Sequence, residues 1–298
     1  MSITIYPVTP GFAAEIGDVD LSRPPAPADM DAIKQAFWQY AVLIFPGQQL
    51  TGTQHLDFAR QFGPIEIDRV LDQKEFPSRF EKGFADISNL DKDGAIWSGD
   101  SRQRVYKAGN RLWHTDSSFK YLPALCSLLY AHSIAPIGGH TEFADQRAAY
   151  DALPQAMKEK LCGCVAEHSI ATSRKRIGFT GFTAEEVGRL PPVPQVLVRT
   201  IPQTGRKSLY VASHAGRILG MPDEEGRALI DRLIAHASQR QFVYTHRWRE
   251  RDLVMWDNRC TMHRGTDFDD LRWKRDMRRA TVSDVANSCA QEGVPVAA

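Results

Sequence analysis

The sequence predicts a mainly β protein with added helices, arranged as an antiparallel double-sheet barrel. Two observations point there. Short apolar runs recur along the chain and are closed by turn residues, as in Leu125–Ala131, Val196–Thr200, Ser208–Ala212, Phe242–His246 and Leu253–Trp256. Helical patterns are few and sit on the N-terminal side or between these runs, as decoration rather than as a repeating strand–helix unit.

Taken in order, Ile3–Ile5 has strand character and stops at Pro7. Pro24, Pro25 and Pro27 introduce a helix over Asp29–Tyr40, where Met30, Ile33, Phe37 and Tyr40 recur at helical spacing. Val42–Phe45 is a short apolar run closed by Pro46-Gly47 and reads as a buried strand. Thr51 or Thr53 can cap a second helix carrying Leu56, Phe58, Ala59 and Phe62, ended by Gly63-Pro64. The stretch 66–110 is polar and turn-rich, and reads as a loop or lid. Further helices are expected at Arg147–Leu153, Pro154–Leu161 and Asp223–Ala237, and a flexible tail over 287–298. One domain spanning 1–298 is the expected organisation.

Composition excludes several function classes. Lys plus Arg number 37 against 36 Asp plus Glu, so there is no basic excess for nucleic acid. No apolar run approaches the ~20 residues of a membrane span, and the N-terminal residues lack a signal-peptide pattern. Five scattered cysteines fit reduced thiols in the cytoplasm better than a disulfide framework.

The chemistry concentrates around Trp113-His114-Thr115-Asp116. If this segment is extended, residues i and i+2 share a face, so an imidazole and a carboxylate stand together. A second histidine from elsewhere would complete a two-histidine, one-carboxylate set, which suits non-haem Fe(II). Alone, H-x-D is a weak signal, and a hydrogen-bonded core histidine explains it as well. Three other stretches strengthen it: Trp256–Arg259 followed by His263, the basic run Arg272–Thr281, and Gly138–Phe143.

The sequence resembles the Fe(II)/2-oxoglutarate-dependent dioxygenases of the taurine dioxygenase family along nearly its whole length. The stretches that carry this are FPGQQL (45–50), ARQFGPIE (59–66), ADISNLDKDG (85–94), LWHTDSSF (112–119), GGHTEFADQRAAYDALP (138–154), FVYTHRW (242–248), DLVMWDNRCTMHRG (252–265) and RRAT (278–281). The resemblance implies a double-stranded β-helix (jelly-roll) barrel, with Fe(II), 2-oxoglutarate and O₂ as cofactor and co-substrates. His114, Asp116 and His263 match the iron ligands. Thr141, 27 residues after His114, and Arg275 match the pair that holds the far carboxylate of 2-oxoglutarate. Arg279 matches the arginine that receives an anionic substrate group, and Asn89 and His214 match substrate-side positions. A guanidinium offers two parallel N–H donors to a carboxylate, so two arginines near one iron site suit two anions.

The implied reaction hydroxylates the carbon next to the ether oxygen of an aryloxyalkanoate such as 2,4-dichlorophenoxyacetate, giving a phenol, a 2-oxo acid, succinate and CO₂. A taurine, alkylsulfonate or alkyl sulfate substrate would use Arg279 equally well. A divalent-metal hydrolase or a non-catalytic cupin-like binding barrel would leave Thr141 and Arg275 unexplained. Departures from the family's pattern around Asp68–Glu75, around Gly94–Ser98 and at Ile201 lie on the substrate side. Trp113 and Trp256 are read as core aromatics or pocket walls, and Asp257 and Arg259 as holding the turn before His263. The expected partner is a small anionic molecule. A homo-oligomer is compatible with the resemblance, though no stripe of residues marks an interface.

Overall fold

A computed structural model describes residues 3–67 and 79–296. Its strands in chain order are β1 (Thr4–Pro7), β2 (Ala14–Gly17), β3 (Val42–Phe45), β4 (Phe84–Asp86), β5 (Ala124–Ser133), β6 (Thr141–Asp145), β7 (Val165–His168), β8 (Val193–Val196), β9 (Val198–Thr200), β10 (Lys207–Leu209), β11 (Ala215–Ile218), β12 (Val243–His246), β13 (Leu253–Asp257), β14 (Thr261–Gly265) and β15 (Asp276–Ser283). The helices are α1 (Pro27–Tyr40), α2 (Gly52–Arg60), α3 (Arg102–Lys107), α4 (Gln146–Asp151), α5 (Gln155–Leu161), α6 (Ile170–Lys175), α7 (Ala184–Arg189), α8 (Asp223–Ala237) and α9 (Ser288–Gln291).

The main sheet has the order β1-β2-β3-β13-β5-β15-β4. Its pairings are antiparallel except β2–β3. Alternation along its strands sorts two cores. Leu43, Phe45, Leu128, Tyr130, Met255 and Val282 face α1 and α2. Val42, Ile44, Leu129, Val254, Trp256 and Met277 face the other way, toward Phe143 and Trp248 of a second layer. That layer is the sheet β12-β6-β14, and its far side packs Ala144 and Met262 against α4 and α8. Helix α1 buries Met30, Ile33, Phe37 and Tyr40 and stops where Ala41 turns left-handed at φ 59°. Helix α2 starts at a capping box in which Thr51 and Gln54 satisfy each other's backbone N–H groups.

Three expectations need correction. The 66–110 stretch is not simply a loop. Its residues 84–86 form edge strand β4 against β15, and its residues 102–111 form α3 and a 3₁₀ turn. The strand has only three residues and α3 buries none of its own, so neither leaves a periodic signal. The departure noted at 68–75 lies outside the described residues. The tail is pinned up to Glu292. Asn287 caps α9 and donates to the carbonyls of Tyr121 and Pro194, and the Glu292 carboxylate accepts from Thr200. Finally, Ser208–Ala212 is strand only to Leu209, and Val196–Thr200 is divided between β8 and β9.

Candidate active site

The site forms between the two layers. In β14, His263 pairs with Phe143 and Gly265 with Thr141 of β6, which puts His263 and Thr141 on the inner face. His114 attaches to the edge of β14 by a one-residue bridge, with its N–H to the His263 carbonyl at 3.0 Å and the reverse bond at 2.7 Å. The two imidazoles then lie 4.2 Å apart. The H-x-D segment is therefore not a regular strand as expected. Asp116 sits in a turn where Ser117 has φ 53°.

A residue the sequence reading passed over fixes that turn. The Asn258 side-chain carbonyl accepts the Asp116 N–H (3.1 Å) and the Trp256 indole N–H (3.0 Å). The Asn258 amide donates to Ser127 Oγ (3.0 Å), which in turn donates to Asp116 Oδ2 (2.7 Å). Thr115 Oγ1 closes the cluster on the Asn258 backbone carbonyl (2.7 Å). Asp257 and Arg259 form a two-point ion pair that holds the turn before β14, as anticipated. Asn258, standing between them, carried no sequence signal beyond its place in that turn.

His114, Asp116 and His263 each offer one donor atom within 4.8 Å of the others, all buried. His114 Nδ1 donates to the Leu112 carbonyl at 2.8 Å, so Nε2 carries the free lone pair. Burial pushes the His114 imidazole down to about 4 and His263 well below its ordinary value, keeping both rings neutral and able to coordinate. Burial would raise the Asp116 carboxyl. The Arg279 guanidinium and the two imidazoles outweigh it and hold Asp116 below the usual carboxylate range. His263 Nε2 stands 3.8 Å from Asp116 Oδ2, too far for a hydrogen bond but suited to two donors around one ion. Two neutral imidazoles and one carboxylate fit an octahedral ferrous ion with open positions.

A cavity of about 270 Å³ opens beside these ligands and is walled by His114, His263, Thr141, Arg275 and Arg279, among others. Arg275 and Arg279 stand four residues apart at β15, with the inward-facing Met277 between them, so both reach the inner face. Arg275 is half-buried, and among the described residues its guanidinium bonds only the carbonyls of Gly139 (3.2 Å) and Ile87 (3.4 Å). Burial alone lowers it to about 10, so it stays cationic at neutral pH and has no counter-ion among the described residues. Thr141 Oγ1 accepts from the Trp248 indole at 3.0 Å. Arg279 donates to Asp116 through Nη1.

Two expected substrate contacts are placed differently. Asn89 borders the cavity, but its amide donates to the carbonyls of Asp270 (2.7 Å) and Trp273 (2.8 Å), and its oxygen accepts the Arg275 N–H (2.8 Å). It braces the segment that carries Arg275. His214 does not line the cavity. Ser213 N–H bonds the Trp113 carbonyl, which sets His214 edge-on behind His114, with ring centres 6.1 Å apart, and against Phe119. Trp256 both lines the cavity and packs in the core, whereas Trp113 stands outside the cavity wall, under the Arg264 guanidinium. Ile201 is buried in the core and away from the wall.

Another part of the wall comes from α3 and its surroundings. Val105, Ala108, Lys107 and Trp97 border the cavity. Arg104 (2.9 Å) and Arg111 (3.4 Å) both donate to the Asp270 carboxylate at its mouth.

Residues 4–281 match the family described as "Taurine catabolism dioxygenase TauD, TfdA family". The chain is 44% identical over 287 residues to an alpha-ketoglutarate-dependent 2,4-dichlorophenoxyacetate dioxygenase of Cupriavidus pinatubonensis, covering 96% of this chain and 99% of that one. It is 34% identical over 282 residues to a (S)-phenoxypropionate/alpha-ketoglutarate-dioxygenase of Sphingobium herbicidovorans, covering 89% and 90%. The crystal structure of AAD-2 in complex with Mn(II) and N-oxalylglycine superposes with a TM-score of 0.89 at 45% identity, covering 97% of this chain and 99% of that one.

Proposed function

The chain belongs to the TauD/TfdA family of taurine catabolism dioxygenases, and from that premise we propose that it hydroxylates the carbon next to the ether oxygen of an aryloxyalkanoate such as 2,4-dichlorophenoxyacetate. It is a 2-oxoglutarate-dependent non-haem iron dioxygenase. The observation that carries the substrate class is the 44% identity along 96% of the chain with a relative that acts on that compound.

In this reading His114, Asp116 and His263 hold Fe(II), an assignment supported by their mutual reach and by neutral imidazoles beside an ionised carboxylate. The metal, with 2-oxoglutarate and O₂, supplies the oxidising power that places an oxygen atom into a C–H bond. The protein supplies position and exclusion of water. Arg275 and Thr141 bind the far carboxylate of 2-oxoglutarate. A half-buried guanidinium without an acidic partner suits that task, because the incoming carboxylate provides the missing charge. Arg279 receives the substrate carboxylate and so fixes which C–H faces the metal. Hydroxylation there makes a hemiacetal, which breaks to a phenol and a 2-oxo acid, while 2-oxoglutarate becomes succinate and CO₂. The apolar side chains of Trp97, Val105 and Ala108 give the aryl group a surface to pack against.

The reading extends to architecture and setting. The two facing sheets are taken as the halves of a double-stranded β-helix, or jelly roll, in a single domain spanning 1–298. A cytoplasmic location is supported by five free thiols. No described helix is long and apolar enough to cross a membrane. Anaerobically purified protein given Fe(II), 2-oxoglutarate, O₂ and 2,4-dichlorophenoxyacetate should release 2,4-dichlorophenol and succinate one for one. Succinate with taurine and sulfite release, but no phenol, would move the protein to the sulfonate branch. No consumption of 2-oxoglutarate under either condition would sink the reading.

A further inference from the structure

Thr141 has a neighbour whose chemistry permits only one hydrogen-bond direction. Trp248 follows β12 by two residues and is buried between the sheets. Its indole N–H donates to Thr141 Oγ1 at 3.0 Å. An indole nitrogen can donate but not accept, whereas a hydroxyl can do both. In this pair the threonine oxygen must therefore accept. Among the described residues nothing accepts the Thr141 hydroxyl hydrogen, and Thr141 lines the cavity. The hydrogen is left to point at whatever occupies that cavity.

Trp248 is itself held in place. Its ring meets the His246 ring edge to face, with centres 4.7 Å apart and planes at 89°. His246 is fastened at both nitrogens, to Asp252 Oδ2 at 3.0 Å and to the Tyr244 hydroxyl at 3.1 Å. His246 also pairs with Thr141 across β12 and β6, so the backbone that carries the indole is registered against the residue it serves. Asp252 is anchored in turn by the backbone and side chain of Arg249. The donor is rigid.

We propose that Trp248 is a positioning residue for the co-substrate: it occupies the Thr141 oxygen so that the Thr141 hydroxyl presents its hydrogen to the far carboxylate of 2-oxoglutarate. This rests on the reading of Thr141 given above. A free threonine hydroxyl can turn its lone pairs toward an incoming anion. A hydroxyl already accepting from Trp248 has its hydrogen directed into the site before the anion arrives, so less reorganisation opposes binding. Arg275 supplies charge at the same end of the cavity, and Trp248 supplies orientation.

The test is a double-mutant cycle read by calorimetry of 2-oxoglutarate binding to Mn(II)-loaded protein without O₂. Trp248→Phe should weaken binding about three- to tenfold, the scale of one ordinary hydrogen bond. Thr141→Val should weaken it at least as much. In the Thr141→Val background, Trp248→Phe should add nothing, because the group it orients is gone. Replacing Trp248 by 3-benzothienylalanine, which keeps the ring shape and removes only the N–H, should match Trp248→Phe. It also covers the case in which the phenylalanine variant folds poorly. The KM for the aryloxyalkanoate should not follow the change. Equal, additive losses in both backgrounds would overturn the proposal and leave Trp248 as ordinary packing, as would full 2-oxoglutarate affinity in the benzothienyl protein. Unchanged affinity in Thr141→Val alone would remove Thr141 from the co-substrate site, and the proposal with it.

Discussion

At the scale of single residues, function and stability pull Arg275 in opposite directions. A half-buried guanidinium with only two carbonyl partners is costly, because burial disfavours its charge and no described carboxylate offsets it. In the proposed reading the co-substrate carboxylate removes that cost, so the uncompensated charge favours binding. Arg275→Met should stabilise the ligand-free protein by roughly 1–3 kcal/mol, a rise of a few degrees in Tm, while abolishing 2-oxoglutarate binding. A Tm that falls on this substitution would mean the arginine is structural. Asn258 presents the reverse case. Removing its side chain leaves the buried Asp116 N–H and Trp256 indole N–H without their acceptor and takes a donor from Ser127 Oγ. Asn258→Ala should cost about 2–4 kcal/mol and weaken divalent metal binding roughly 10- to 100-fold, since the turn that aims the Asp116 carboxylate is lost. Calorimetric Mn(II) titration of the variant below its unfolding temperature separates the two effects.

At the scale of elements, the turn Gly138-Gly139 delivers β6 to the site, and its backbone explains its composition. Gly138 has φ 74°, and a side chain there would bring its Cβ to 2.2 Å from the Asp267 carbonyl. Gly139, at φ 66°, gives its carbonyl to Arg275 Nε. Gly138→Ala should therefore displace the 267–270 strap and the Arg275 guanidinium together. The expected result is a loss of about 2 kcal/mol or more of stability, with weaker 2-oxoglutarate binding in the protein that still folds. Thermal melting and co-substrate titration of one preparation check both. This turn was visible in the sequence as GGHTEF, and so was the helix started by Thr51. Helix α3 was not. It is six residues long, buries none of them, and is fixed from outside by Arg102 on Glu186 (2.7 Å), by Arg104 on Asp270, and by Tyr106 packed among Phe179, Phe182 and Arg174. Apart from a Ser101 cap, its order comes from tertiary partners, and such an element leaves no period to read. For the same reason the proposed metal residues His114, Asp116 and His263 and the proposed anchor Arg275 could be named from motifs, whereas Asn258, Trp248 and the places of Asn89 and His214 depend on contacts between distant segments.

At the scale of the whole molecule, the acid limit of stability is set by histidines that the fold buries outside the metal set. His55 points from the buried face of α2 into the core, with its ring 5.1 Å from that of Phe84 and 6.2 Å from that of Tyr130. Burial, with the Arg278 guanidinium adding to it, pushes its imidazole down to about 3. His168 lies behind the second layer against Tyr210, bonded to Ser118 Oγ at 3.0 Å, and burial alone lowers it to about 3. In the unfolded chain both titrate near the ordinary value of 6.5. Between those limits these two rings bind two more protons in the unfolded state than in the folded one, and the depressed His114, His214 and His263 add in the same direction, so stability falls as the pH falls. Above about pH 7 neither state is protonated at these rings and the two contribute no slope. From about pH 6 down to about pH 4 they should remove up to roughly 2.7 kcal/mol per pH unit, about 1.36 kcal/mol for each proton. Chemical denaturation of the metal-free protein at a series of pH values measures the whole acid slope, and the share of His55 is read from its variant. Replacing His55 by Phe, which keeps a ring among its aromatic neighbours and cannot take up a proton, should make the acid limb shallower by the share of one proton while leaving the slope above pH 7 as it was. An unchanged acid limb in that variant would mean that the buried ring is not what the unfolded state protonates, and that the carboxylates paired in the folded protein set the acid limit instead.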